Sequence, residues 1–429
     1  MLRRRHATVM GLVVVVLALS ACWPVPGQNP DRTAHNGLER TLTRQVVGDI
    51  EELWATSLAT GAVRDPIVVE GGVIVSVDTD LHRFDVATGE HEWTWGPPAG
   101  YPAMVGAPAF GVDDRLLATY GQVGRASHYV SSWLDPVSGE VIEAAPSTGR
   151  PASVRGDREV GTSVQQIEPP ISGVDIAVTD LSTGSRSSYL AVDFGEQSSD
   201  TPFGVTLGGE RVYHSGFAIG SAAPWTREVA VRAFPVTGGS STCGPPEAPY
   251  FGCATWSAVV GPRPTVPVIG PGEAEIYVGT GAGTVVALDA ATGAIRWTVD
   301  VGAPVSGPPA LAEGVLYAGT AAGTLVAVDA HGCGATTCRP LWTATGGPDP
   351  IATQPAVAGT GAEAVVYAGT TGGTIRAYAA AGCGKRTCRQ PLWTADAGGP
   401  VTGGPIVTGG RVVVGTENGR LVAYGLPRP

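Results

Sequence analysis

The chain has 429 residues, of which 43% are hydrophobic and only 15% charged; an average globular protein is roughly 25% charged. Its formal charge is −11, so it lacks the basic surface that phosphate-backbone binding requires, and nucleic acid is not an expected partner. The length allows one large repeat domain or two ordinary ones, and 62 Gly without a Gly-X-Y period point to many short strands and turns.

Residues 1–21 read as a signal peptide. Arg3, Arg4 and Arg5 form a positive start, and "VMGLVVVVLALS" (9–20) is an apolar run too short to span a bilayer comfortably. It ends in "LSAC" (19–22), which resembles the bacterial lipobox. That resemblance implies that Cys22 becomes the N-terminus and carries lipid, with more than one acyl chain and hence stable anchoring to the outer face of the cell membrane. An ordinary secretory signal followed by a chance Cys is the alternative. Losing the three arginines takes the charge to −14. Residues 22–49 are then expected to be the lipidated N-terminus and a tether, because "WPVPGQNPDRTAHN" (23–36) is polar and Pro-containing.

From residue 50 to 429 the chain reads as repeats. The turn Asp-x-x-Ser/Thr-Gly occurs at Asp85/Thr88/Gly89 with Trp93 following, at Asp135/Ser138/Gly139 and at Asp180/Thr183/Gly184. A further unit ends in Trp256. Three segments then align directly: "EIYVGTGAGTVVALDAATGAIRWT" (275–298), and those beginning at Val315 and Val365, which carry Trp342 and Trp393 where the first has Trp297. Tyr277 to Tyr317 is 40 residues and Tyr317 to Tyr367 is 50, the length of one four-stranded propeller blade. Within a unit, "IYVGT" and "TVVALD" form strands around a Gly turn, the Asp carboxylate accepts turn N–H groups, and the Trp fills the gap between sheets.

Counting gives blades at 65–95, 104–143, 152–194, 203–258, 266–299, 305–344, 354–395 and 401–426. The expected fold is therefore an all-β, eight-bladed propeller, with seven blades the alternative because the third is degenerate. The last unit lacks a terminal Trp strand, while Trp54-Ala-Thr precedes the first with no blade in front of it. Residues 53–58 are thus expected to close the ring as the last blade's outer strand.

Apart from Cys22, the cysteines fall into local pairs: Cys243 with Cys253, Cys333 with Cys338, and Cys383 with Cys388. Each pair lies between the third strand and the Trp strand of its unit. Export favours disulfides. Zinc would need thiolates from two blades at a spacing looser than usual, and a redox device would prefer Cys-x-x-Cys. Braced hairpins on one face, opposite the Gly-Thr-x-x-Gly turns, would suit a docking surface. His82, His91, His128 and His214 show no metal-site spacing, and His331 stands near Cys333 but has only Ala381 at the matching place in the next unit.

The unit Tyr-x-Gly-Thr-x-x-Gly-x-x-x-Ala-x-Asp-x-x-Thr-Gly-x-x-x-Trp, best seen at 277–297, is similar to the repeat of the pyrroloquinoline-quinone (PQQ)-like β-propellers. That superfamily includes quinoprotein dehydrogenases and the non-enzymatic lipoprotein of the outer-membrane β-barrel assembly machine. The resemblance implies blade-packing roles for Trp54, Trp93, Trp256, Trp297, Trp342 and Trp393. No Cys-Cys dipeptide or clustered Ca²⁺-ligand set accompanies it, so no cofactor is expected. The expected function is a monomeric scaffold that binds envelope proteins. Recognition of a small molecule or cell-wall glycan is the alternative, with Trp95, Trp133 and Trp225 as stacking candidates, and a PQQ-dependent dehydrogenase is the minority reading.

Overall fold

The repeats fold as read because each unit supplies residues that are covered on both faces. In Glu275–Gly279 and Thr284–Asp289 nearly every residue is buried, without the alternation of a half-exposed strand. The outer strand Ile295–Asp300 does alternate, and turns Trp297 and Val299 inward. Inner strands thus lie between two neighbouring sheets, and outer strands meet solvent on one side.

The computed structural model describes residues 22–58, 61–99, 103–104, 107–121, 129–146, 150–168, 171–194, 204–219, 227–237 and 254–427. They form eight antiparallel meanders of four strands, each running from an innermost to an outermost strand. The blades span 63–95, 103–145, 150–194, 205–259, 268–300, 310–345, 356–396 and 406–425. Blade 3, degenerate in sequence, is a complete sheet whose middle strands, Arg158–Glu168 and Ile171–Asp180, are long.

The ring closes through the chain's own start. Glu51–Ser57 pairs antiparallel with Arg420–Gly425 as the outer strand of blade 8, with Trp54 opposite Ala423. Arg420 also holds Glu52 at 2.8 Å across this joint.

Residues 22–49 correct the expectation of a tether. Trp23, Val25, Ala34, Leu42 and Val47 are buried, and the backbone is bonded to the innermost strands. Trp23 and Val68 of blade 1 exchange N–H···O bonds of 2.7 and 2.9 Å. Phe110 donates to Pro24 O, Ile269 to Asp31 O, Leu311 to Thr33 O and Val357 to Ala34 O. Asp31 pairs with Arg155, and the Asn36 amide donates to Val407 O. His35–Asn36 adds a short parallel strand beside Ala356–Ala358. Blades 1, 2, 3, 5, 6, 7 and 8 are all touched, so the segment lies across the central channel. Buried Glu39 then takes the N–H groups of Thr41 and Gly410 at 2.7 and 2.9 Å, steering the chain out toward blade 8. Polar composition suggested freedom here, but backbone groups pair regardless of side-chain polarity.

Candidate interaction surface

The joints between blades are built from four recurring residues. At the third-to-fourth-strand turn, Asp289 Oδ1 accepts the N–H of Ala291 at 3.1 Å and of Thr292 at 2.8 Å, plus the Thr292 hydroxyl at 2.8 Å. The Thr292 bonds, together with Arg296 Nη2 at 2.6 Å, hold its carboxyl down at about 2. Asp85, Asp135 and Asp180 do the same in blades 1, 2 and 3. The turn's Gly293 has φ of +73°, and a Cβ there would lie 2.4 Å from Trp256 of the preceding blade. Gly is therefore required twice, for conformation and for contact. Trp256 Nε1 then donates to Ala290 O at 2.9 Å. Trp54 Nε1 reaches Val86 O, Trp342 reaches Ala380 O, and Trp393 reaches Ile50 O.

The motif tyrosine is the fourth member, and its role is not legible from spacing alone. Tyr317 Oη donates to Ala380 O at 3.1 Å, the carbonyl that Trp342 of the same blade also uses at 3.2 Å. Tyr277 Oη lies 3.2 Å from Ala330 O in the next blade, while its shorter bond, 2.5 Å, goes to Glu275 Oε2. Its repetition at the head of Tyr-x-Gly-Thr was the available signal.

Cys333–Cys338 and Cys383–Cys388 are disulfides, each with a Cα–Cα distance of 5.7 Å; Cys243 and Cys253 lie outside the described residues. The bridged loops are not free-standing hairpins. Thr337–Cys338 pairs parallel with Thr298 and Val299 of blade 5, and Thr387–Cys388 with Thr343 and Ala344 of blade 6. Each loop covers the outer edge of the blade before it, with Cys338 and Cys388 buried. Replacing Cys383 and Cys388 together by Ser is expected to cost about 2 kcal/mol, from loop-closure entropy, measured as a shift in denaturation midpoint. An unchanged midpoint would show that strand addition alone holds the loop.

Where the blade 7 loop leans on blade 6, it leaves an open cleft of about 430 Å³ lined by Val315, Leu341, Trp342, Ala380, Lys385 and Arg386. Leu341 is 46% exposed at its edge. The cleft thus offers an apolar floor and a cationic rim, carried on a loop held by both a disulfide and a strand.

The other singled-out residues serve the ring. Trp133 is buried under Arg115 at 4.6 Å, and Trp95 leans on Tyr120 at 5.6 Å between ring centroids, so both pack rather than wait for a ligand. Trp225 and His128 lie outside the described residues. Trp93 packs partly buried against the blade 1–2 core, and a Cβ on Gly139 would lie 2.7 Å from it. His331 meets Asp329, not cysteine. His82 and His91 share Thr94 as a hydrogen-bond partner on blade 1.

Buried His214 has its pKa pushed down to about 3, first by burial and then by Arg232 beside it. A lowered folded pKa means that protonation favours the unfolded chain. The stability lost therefore begins near the unfolded value of about 6.5 and grows as pH falls toward 3, reaching about 2 kcal/mol at pH 5. His214→Gln is expected to shrink the difference in unfolding free energy between pH 7 and pH 5; an undiminished difference would assign the loss elsewhere.

The described residues do not fit a quinone cofactor with a metal beside it. The turn acids are committed to backbone N–H groups, the disulfides sit on rim loops, and no group of three His, Cys, Asp or Glu side chains among the described residues could hold an ion. Among these residues, too, no helix is long and apolar enough to cross a membrane.

Eight meanders joined by Trp, Tyr and Asp-Gly turns define an eight-bladed β-propeller. Residues 251–423 match the family described as outer membrane protein assembly factor BamB. No curated protein matches the chain by sequence. Among solved structures, the quinohemoprotein alcohol dehydrogenase ADHIIG from Pseudomonas putida HK5 is similar with a TM-score of 0.65. That match has 13% identity and covers 97% of this chain and 83% of the other. BamB from Moraxella catarrhalis gives 0.53 at 14% identity, covering 88% and 99%. The computationally designed Ika8 protein gives 0.57 at 16%, covering 87% and 99%. At such identities the likeness shows the fold alone, and it spans an alcohol dehydrogenase, BamB and a designed protein.

Proposed function

We propose that the chain is a non-catalytic β-propeller, anchored to the outer face of the cell membrane through lipidated Cys22, that binds other envelope proteins as a scaffold or assembly factor. The observation that carries this reading is the cleft between blades 6 and 7. Its loop is fixed by a disulfide and by pairing with Thr343 and Ala344, so little conformational entropy remains to be lost on docking. Leu341 and the Lys385–Arg386 rim give it an apolar anchor point and a charge opposite to that of the body. The family model matched over the blades that build the cleft is that of an assembly factor, which supports the same reading. No cofactor is needed, and a single closed ring functions as a monomer.

The test is capture from native membranes with wild-type chain and with Leu341→Asp/Lys385→Glu. The variant is expected to melt like the wild type, since both positions are exposed, but to lose its co-purifying proteins. Equal capture by both would remove the cleft from the proposal.

A further inference from the structure

The anchoring residue and the ring are adjacent in sequence, and this fixes more than attachment. Cys22 lies beside Glu70, and the next residue, Trp23, is buried and doubly bonded to Val68 on the innermost strand of blade 1. No slack separates a lipid on Cys22 from the ring. In every blade the strands run antiparallel from inside out, so the first-to-second and third-to-fourth turns share one face. Glu70 belongs to such a turn, between Val63–Val69 and Gly72–Val77. The Asp-Gly turns and both cysteine loops lie on that face, and the Gly-Thr-x-x-Gly turns lie on the other.

Around blades 6 and 7 the Cys22 face exposes Arg40 and Arg44 of the channel segment and Arg339 and Arg389 of the cysteine loops, while its first-to-second turns expose Glu70, Asp113, Asp114, Asp157, Glu210 and Glu313. Arg44 is held in place on this face by its N–H bond to Glu363 O. Exposed cations on the face where Cys22 emerges suit the phosphate headgroups of a bilayer.

We infer that the propeller stands on the membrane with its cysteine-loop face against the phospholipid headgroups, held there by the absence of a tether between Cys22 and blade 1. This rests on the lipidation of Cys22. The Gly-Thr-x-x-Gly face then points away from the bilayer, about 20 Å higher by the length of the six-residue strands. The cleft between blades 6 and 7 opens at the rim of the lower face, so a partner reaches it along the membrane surface.

The test uses full-length chain made in a bacterium and reconstituted in vesicles of phosphatidylcholine and phosphatidylglycerol containing a headgroup spin-labelled lipid. A fluorophore is placed on Arg44→Cys, on the lower face, or on Glu417→Cys, in an exposed turn of the other face. Strong quenching at position 44 and its loss at position 417 are expected. Equal quenching, or the reverse order, overturns the orientation while leaving anchoring intact. The mass of the mature chain is read on the same sample: an unacylated Cys22 overturns the anchoring reading and the orientation with it.

Discussion

A chain lacking residues 50–58 is expected to lose cooperative monomeric unfolding. Glu51–Ser57 covers the whole of Arg420–Gly425, and without it blade 8 presents an open, apolar edge to other chains. The milder variant Trp54→Ala isolates the side-chain part. Trp54 is buried against the blade 1 turn and donates to Val86 O at 3.1 Å, so its truncation should cost about 3–5 kcal/mol. Thermal melting with light scattering reads both effects. A truncated chain that melts like the intact one would show that the ring does not depend on this closure.

The second large effect separates two glycines of one loop. Gly332 and Gly334 share a φ of +77°, but a Cβ on Gly332 would lie 2.5 Å from Trp297 Cδ1, whereas nothing lies within 4 Å of one on Gly334. Gly334→Ala should therefore cost only the left-handed backbone term, about 1–2 kcal/mol. Gly332→Ala adds the displacement of a packed indole and should reach about 3 kcal/mol or more. Denaturant titration of the two variants gives the difference directly. Equal losses would mean that the Trp–Gly contact contributes nothing to the joint between blades 5 and 6.

The ring itself was largely legible because its signals repeat. One Asp-x-x-Thr-Gly turn is weak, but four of them ending strands at blade spacing give the meander, and an orphan Trp54 opposite a last unit without a Trp gives the closure. What escaped were contacts whose chemistry leaves no pattern in side chains. Residues 22–49 pair with inner strands through their carbonyls, so Asn29, Pro30 and Asp31 read as solvent-loving while their segment is held in the channel. The Thr-Cys pairs that extend blades 5 and 6 are two residues long, too short for any period, and their parallel register connects different repeats. The Tyr317 hydroxyl and the Trp342 indole meet at one carbonyl only because consecutive blades are brought together.

Those missed contacts shift the functional reading. Cysteine loops that looked like an exposed docking rim prove to be seams between blades, and the surface left beside them is the cleft at Leu341 and Lys385. The channel segment places Cys22 at the ring rather than at the end of a leash.

The central claim is that this ring works by binding envelope proteins at that cleft. The most direct measurement is photo-cross-linking in native membranes from a photoreactive residue at Leu341, with Val137 on the exposed surface of blade 2 as control, followed by mass spectrometry. A discrete protein adduct at position 341 and none at position 137 is the predicted result. No adduct at 341, together with dye reduction when PQQ, Ca²⁺ and an alcohol are supplied, would contradict it.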